Sequence, residues 1–214
     1  MLAKTIHSIR RIPIRLCRRI CCLFPYFLFD QRTRDTQTPA SFDDWYRQHI
    51  LGVNRGPYWP VHPSSVVVGW KNILAGVETS PGLSPGCYIQ GEGEVHIGDY
   101  TQIAPNVGII SANHVLGDSR QHERDVVRIG EYCWLGMGAI ILPGVMLGDH
   151  TIVGAGAVVT KSFPDGYCVI AGNPASKLKD LDQTACVKHR SPHEYHGYIP
   201  RADFEVFRKK FLNV

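Results

Sequence analysis

From Ile129 onward the chain repeats every six residues. Ile129, Leu135, Ile141, Leu147, Val153 and Val159 are aliphatic and six apart, the next position is glycine at 130, 136, 148 and 154, and Cys133, Ala139, Val145, Thr151 and Ala157, four after each aliphatic residue, are all small. A period of six matches neither the 3.6 of a helix nor the 2 of an alternating strand. Six residues are too few for a helix and its connection, but they suit one short strand, at about 3.3 Å per residue, with a turn. Three such units close a triangular coil, and stacked coils bury their aliphatic columns, giving a solenoid that needs caps at its ends. Eighteen of the 21 glycines but only two lysines lie in residues 61–172, as a gapless stack of short strands requires. The glycines are expected to supply the tight or positive-φ backbone of the turns.

The same spacing runs earlier, at Val61, Val67 and Ile73 and again at Ile97, Ile103 and Ile109, across a Pro/Gly-rich interruption near Pro81–Gly86. A second inward column would be Val77, Leu83, Ile89, Val95, Thr101 and Val107. Counting on from Ile109 in sixes reaches 127 rather than 129, so something leaves the coil between the two runs. The polar stretch 115–128 is the expected excursion loop. Three parts follow: residues 1–60, an N-terminal helix, a linker and a small cap around Phe42–Ile50; residues 61–175, the repeat domain; and residues 176–214, an aromatic-rich appendage that covers an open end and is helical from Ala202.

With 44% apolar and 20% charged residues the chain is a folded one. Its net charge of +4 hides an asymmetry, because residues 1–34 hold eight basic groups and one acid while residues 35–214 hold fifteen and eighteen. By charge the body is no nucleic-acid binder. Residues 5–29 are expected to form a basic amphipathic helix, with Ile6, Ile9, Leu16, Ile20, Leu23 and Phe27 recurring at helical spacing and Arg11, Arg15 and Arg18 on another face, suited to an anionic membrane surface or to a neighbouring subunit. No apolar run of about 18 residues is present to span a bilayer, and no small-residue cleavage site follows Ile20–Phe29. A cytoplasmic protein is expected, peripheral at the inner membrane face where the basic helix meets lipid. Seven cysteines without a C-x-x-C pair signal neither a zinc knuckle nor a redox dithiol, and read as reduced packing residues.

The segments IGDYTQIAPNVGIISANH, IGEYCWLGMGAIILPGVMLGDHTIVGAGAVVTK and VIAGNPASKLK, between Gly86 and Lys179, resemble the hexapeptide-repeat acyltransferases of the sugar and polysaccharide O- or N-acetyltransferase type. The resemblance implies a mainly β fold, a left-handed parallel β-helix, which departs from the usual right-handed crossover. Periodicity alone shows the coil and not its hand. The likeness also implies transfer of acetyl from acetyl-CoA to a hydroxyl or amine of a sugar or polysaccharide precursor, without metal, by a homotrimer whose acyl-CoA groove lies between neighbouring prisms.

The leading catalytic candidate is His114, last residue of Ser111-Ala112-Asn113-His114 and placed where the repeat phase breaks. Acyl transfer needs a base to take a proton as oxygen or nitrogen attacks the thioester, a task imidazole suits near neutrality and one worth ~10²–10⁴-fold. The resemblance assigns the same residue. Asp118, Asp99, Glu94 or a backbone carbonyl could orient its ring, and the sequence does not choose. By likeness, a backbone N–H near Gly136 or Met137 would meet the developing oxyanion, and Met137, Ala155, Thr160, Lys161 and Lys179 would contact acyl-CoA. Ala155 and Gly156 are small enough for a pantetheine arm, and Lys177 stands beside Lys179 as a further phosphate partner. By the same likeness, Trp134, Asn113 and Gln90 are the acceptor-side candidates.

Three other functions compete. Antibiotic-modifying O-acetyltransferases share the Asn-His pair. A zinc enzyme of the carbonic-anhydrase kind on the same prism needs three converging ligands, whereas seven residues separate His114 from His122. In a non-catalytic scaffold, His114 and Lys161 would be incidental.

Overall fold

The computed structural model describes residues 25–214, so the expected helix over 5–29 lies almost wholly outside them. Its last residues form a 3-10 turn at Pro25–Phe27 and a separate helical turn at Phe29–Arg32.

Each unit of the repeat forms a strand of two to five residues, and the strands stack in three parallel sheets. The first sheet contains Val66–Val68, Tyr88–Gln90, Gly108–Ile110, Ile140–Ile141 and Val158–Val159. The second contains Ile73–Ala75, Glu94–Ile97, Val126–Ile129 and Met146–Leu147. In the third, Gln102–Ile103, Trp134–Leu135, Ile152–Val153 and Cys168–Gly172 are parallel, and Ala175–Asp180 adds an antiparallel edge. The chain visits the sheets in turn, so one circuit is one coil of a triangular prism. Eighteen residues carry Ile141 to Val159, Ile129 to Leu147 and Leu135 to Val153. Ile73, Ile89, Ile109, Leu135, Ile141 and Ile170 are fully buried inside, and the small residues Cys133, Ala139, Thr151 and Ala157 fill the space between them.

Two expectations are corrected. Across the interruption near Pro81–Gly86 the columns change partners: Val67 lies under Ile89 and Ile73 under Val95, a coil of twenty-two residues, four beyond the regular eighteen. The excursion is also no loop. Ile109 pairs with Ile141 thirty-two residues on, and the extra length is an antiparallel hairpin of Ala112–Val115 with Asp118–Arg124. Val126–Ile129, read as mostly outside the coil, are back in the second sheet.

The repeat glycines do two jobs: Gly138, Gly144, Gly156 and Gly166 supply the expected positive φ at turns, while others allow a close approach of backbone between coils. A Cβ on Gly130 would lie 2.6 Å from the Asp149 nitrogen and 2.7 Å from the Gly148 carbonyl carbon of the next coil, so glycine is required there for rung spacing. At this corner the positive φ falls instead on Glu78, Tyr100, Tyr132, His150 and Tyr167, a conformation that costs a side-chain-bearing residue roughly 1–2 kcal/mol. Ring stacking offsets it: Tyr100 on Tyr132 at 5.2 Å, Tyr132 on His150 at 5.0 Å, His150 on Tyr167 at 4.9 Å. Gly130→Val is expected to destabilise the fold by about 3 kcal/mol, read as a lowered midpoint in urea unfolding. An unchanged midpoint would show that the rungs can separate.

The C-terminal chain runs down this aromatic corner from the last coil to the first. Leu181 N–H donates to Tyr167 O, Lys188 faces Asp149, Tyr132 Oη–H donates to His189 O, and Tyr100 Oη–H donates to Glu194. At the first coil it meets the cap. Helix α1 (Phe42–His49) starts at Ser41, whose Oγ accepts from Asp44 N–H. From α1, buried Gln48 accepts from Val61 N–H and Tyr198 Oη–H and donates to Trp59 O. Trp59 and Phe204, the latter on helix α2 (Arg201–Phe211), join the prism core.

His196 ties this junction together, with Nδ1–H donating to Ala75 O at 3.0 Å and its ring stacked 3.7 Å from that of Phe204. Burial lowers its pKa, as it does for His150. A histidine whose folded pKa is depressed binds its proton more readily when unfolded, so stability is lost as pH falls through the unfolded value of about 6.5. Thermal midpoints should drop between pH 7.5 and 5.5, and His196→Gln should flatten that slope. An equal slope in the variant would rule the junction out as its source.

Candidate active site

The chain leaves the prism for the hairpin at the corner between first and second sheets, and that corner is pinned before His114 is reached. Ser111 is fully buried. Its Oγ–H donates to Gln90 O at 2.6 Å, its Oγ accepts from Gly93 N–H, and its carbonyl accepts from Asp125 N–H. Gln90 Oε1, one coil below, accepts from Ala112 N–H at 2.9 Å. The side chain expected to touch an acceptor therefore positions the hairpin base. Its place directly one rung under the exit was the signal for this role.

His114 stands on the hairpin itself rather than at the coil edge, opposite His122, the two rings 4.4 Å apart. It is exposed, as is Asn113. Of the partners considered for its ring, Asp118 is bound to Arg120, Glu94 to His96, and Asp99 accepts from Val77 N–H and faces Arg201 at another corner. The partner is the Ser119 carbonyl, 2.5 Å from Nδ1. With Nδ1–H donating there, Nε2 carries the free lone pair and points away from the hairpin backbone bond. Among the described residues no three His, Cys, Asp or Glu side chains converge as a metal ligand set, so the His114–His122 pair gains no third member.

The remaining candidates fall in four places. Thr160 and Lys161 are exposed at the corner that carries the hairpin, two rungs further on and so about 10 Å away along the prism. Gly136, Met137 and Ala155 lie at a different corner, between third and first sheets, where Gly156 N–H donates to Met137 O and Met137 is largely exposed. Gly136 N–H is committed to Val153 O at 2.8 Å, which removes it as an oxyanion donor and leaves the Met137 amide. Lys177 and Lys179 lie on the antiparallel edge of the third sheet opposite Ile170 and Val169, with Lys177 paired to Asp180 at 2.8 Å. Trp134 is exposed on the third sheet above Gln102. Beside it a recess of about 200 Å³ is lined by Thr38, Ser80, Ser84 and Gln102, and no described lining residue is charged. One prism thus separates His114 from Met137 and Ala155.

Comparison with known proteins agrees with this architecture. The family described as "Bacterial transferase hexapeptide (six repeats)" matches residues 127–161. The galactoside O-acetyltransferase of Lactococcus lactis is 38% identical over 96 residues, 42% of this chain and 46% of that protein. The chain spans about half the length of the curated relatives it matches. Among solved structures, a galactoside acetyltransferase in complex with coenzyme A aligns with a TM-score of 0.53 at 26% identity, over 65% of this chain and 70% of that one. A maltose O-acetyltransferase from Clostridium difficile 630 aligns with a TM-score of 0.50 at 26% identity, over 78% and 88%. The chain thus carries hexapeptide repeats and is similar in fold, a left-handed parallel β-helix, to these acetyltransferases.

Proposed function

We propose that the protein transfers an acetyl group from acetyl-CoA to a hydroxyl of a neutral sugar, with His114 as general base. The observation that carries this reading is the Nδ1–H bond to Ser119 O. It presents a basic Nε2 on an exposed edge of a fold that, in the similar galactoside acetyltransferase, is solved with coenzyme A. The acceptor hydroxyl gives its proton to Nε2 as its oxygen attacks the thioester carbon. The Met137 N–H is the candidate donor to the oxyanion. Collapse of the tetrahedral intermediate expels the thiolate, which takes the proton back from the imidazolium, leaving an acetyl ester and free coenzyme A.

Small residues at Ala155 and Gly156 suit the pantetheine arm, and Thr160, Lys161, Lys177 and Lys179 suit its phosphates. Because His114 and Met137 occupy different corners of one prism, the complete site is assigned to the cleft between two copies, in a homotrimer with three equivalent sites. The uncharged, hydroxyl- and amide-lined recess beside Trp134 favours a neutral polyol over a phosphorylated acceptor. Thiol release from acetyl-CoA across a panel of free sugars, nucleotide sugars and polysaccharides tests the activity. Cys87, Cys133 and Cys168 are buried, with burial pushing the Cys133 thiol up to about 12, so they stay silent in that assay. A panel without any thiol release would overturn the reading.

A further inference from the structure

The first-coil end of the molecule, away from the candidate site, carries a surface that acetyl transfer does not use. A groove of about 870 Å³ runs between the two caps, lined by Tyr26, Tyr58, Trp70, Tyr198, Phe207 and Phe211. Its rim is open: Val206 is 72% exposed, Tyr26 61% and Phe211 43%. Beyond His49, which also lines the groove, Ile50 and Leu51 are exposed as well. Exposed aromatic and aliphatic residues in one continuous patch mark a contact surface. Arg55 and Lys210 stand among the lining residues against one acid, Asp203, and Lys71 lies over the Trp70 ring at 5.8 Å.

What the surface meets is indicated by the sequence that precedes it. Tyr26 at the groove follows directly on residues 1–24, which hold six Lys or Arg, no Asp or Glu, and the apolar residues Ile6, Ile9, Ile12, Ile14, Leu16, Ile20 and Leu23. Basic groups alternating with aliphatic ones are complementary to anionic headgroups above an acyl layer. Tyr and Trp side chains, apolar in body and polar at the tip, are the residues that settle at that boundary. No helix among the described residues is long and apolar enough to cross a membrane.

We propose that the first-coil end, groove and N-terminal segment together, docks the protein on an anionic lipid surface. The patch supplies the apolar contact and residues 1–24 supply the charge, so binding needs both and weakens with salt. This inference is independent of the acetyl-transfer reading.

The test is co-sedimentation of the full-length protein with vesicles of phosphatidylcholine alone and of phosphatidylcholine with phosphatidylglycerol, together with Trp70 emission measured against a Trp70→Phe control. The expected result is binding to the anionic vesicles only, a blue shift of the Trp70 emission, and at least a ~10-fold loss of affinity in Val206→Asp/Phe211→Asp. Val206 is largely and Phe211 partly exposed, so folding should survive. The milder pair Val206→Ser/Phe211→Ser covers a failure and should lose affinity in the same direction. Equal binding by a folded variant would overturn the proposal, because residues 1–24 would then act alone. Absence of any anionic-vesicle binding, or a Trp70 emission that vesicles leave unchanged, would overturn it too, the latter being the outcome if residues 1–24 fill the groove themselves.

Discussion

His114→Ala is expected to lower turnover by at least ~10²-fold while leaving acetyl-CoA affinity nearly unchanged. The ring lies on the hairpin, outside the packed prism, so its loss leaves the core intact. Calorimetric titration of acetyl-CoA and thiol-release kinetics on the same preparation separate the two quantities. His122→Ala is the informative control. Its ring lies 4.4 Å from that of His114, yet the bond that fixes a tautomer is made by His114 to Ser119 O. If His122→Ala were the more damaging substitution, the base would have been misassigned. Loss of acetyl-CoA affinity in His114→Ala would mean that this residue binds the thioester instead.

Mixing two inactive variants should restore activity. Ala155→Trp fills the small-residue corner beside Met137, and His114→Ala removes the base at another corner. Each alone is expected to retain below about 1% of turnover, by the ~10²-fold scale of one lost catalytic group. In a mixed trimer, a site drawing His114 from one copy and Ala155 from its neighbour is intact in about one case in four when chains assort at random. Co-refolding equal amounts should therefore bring turnover to about a quarter of the unsubstituted level. No recovery, with mixed trimers confirmed by mass, would place the whole site within one chain.

Much of this architecture is legible in the sequence because a hexapeptide period leaves few alternatives. Ile129 to Val159 fall in the structure on the columns that their spacing predicts. The earlier coils were misregistered because the four extra residues between Val67 and Ile89 preserve a local rhythm while shifting the partner above. The two-residue phase slip announces an excursion but not its paired strands, since Ala112–Arg124 lacks apolar alternation. His114 is singled out by its place at the phase break. Its carbonyl partner is not, because a backbone acceptor has no residue code. The separation of His114 from Met137 follows from which corner each turn occupies, a property of coil geometry. The aromatic corner does carry a sequence signal: Ile97-Gly98-Asp99-Tyr100, Ile129-Gly130-Glu131-Tyr132 and Leu147-Gly148-Asp149-His150 place a ring three positions after the aliphatic residue in every third hexapeptide.

That corner also bears on how the molecule comes apart. Repeat arrays ordinarily fray from their termini, each unit held only by its neighbours. Here residues 181–195 touch successive levels in order, from Tyr167 through Asp149, Tyr132 and Tyr100 to Glu78, and then clasp the opposite end through Tyr198 and Phe204. The last coil cannot peel away without dragging on the first. A single sharp melting step, with amide protons at both extremities exchanging at nearly the same rate, is the behaviour such a belt imposes.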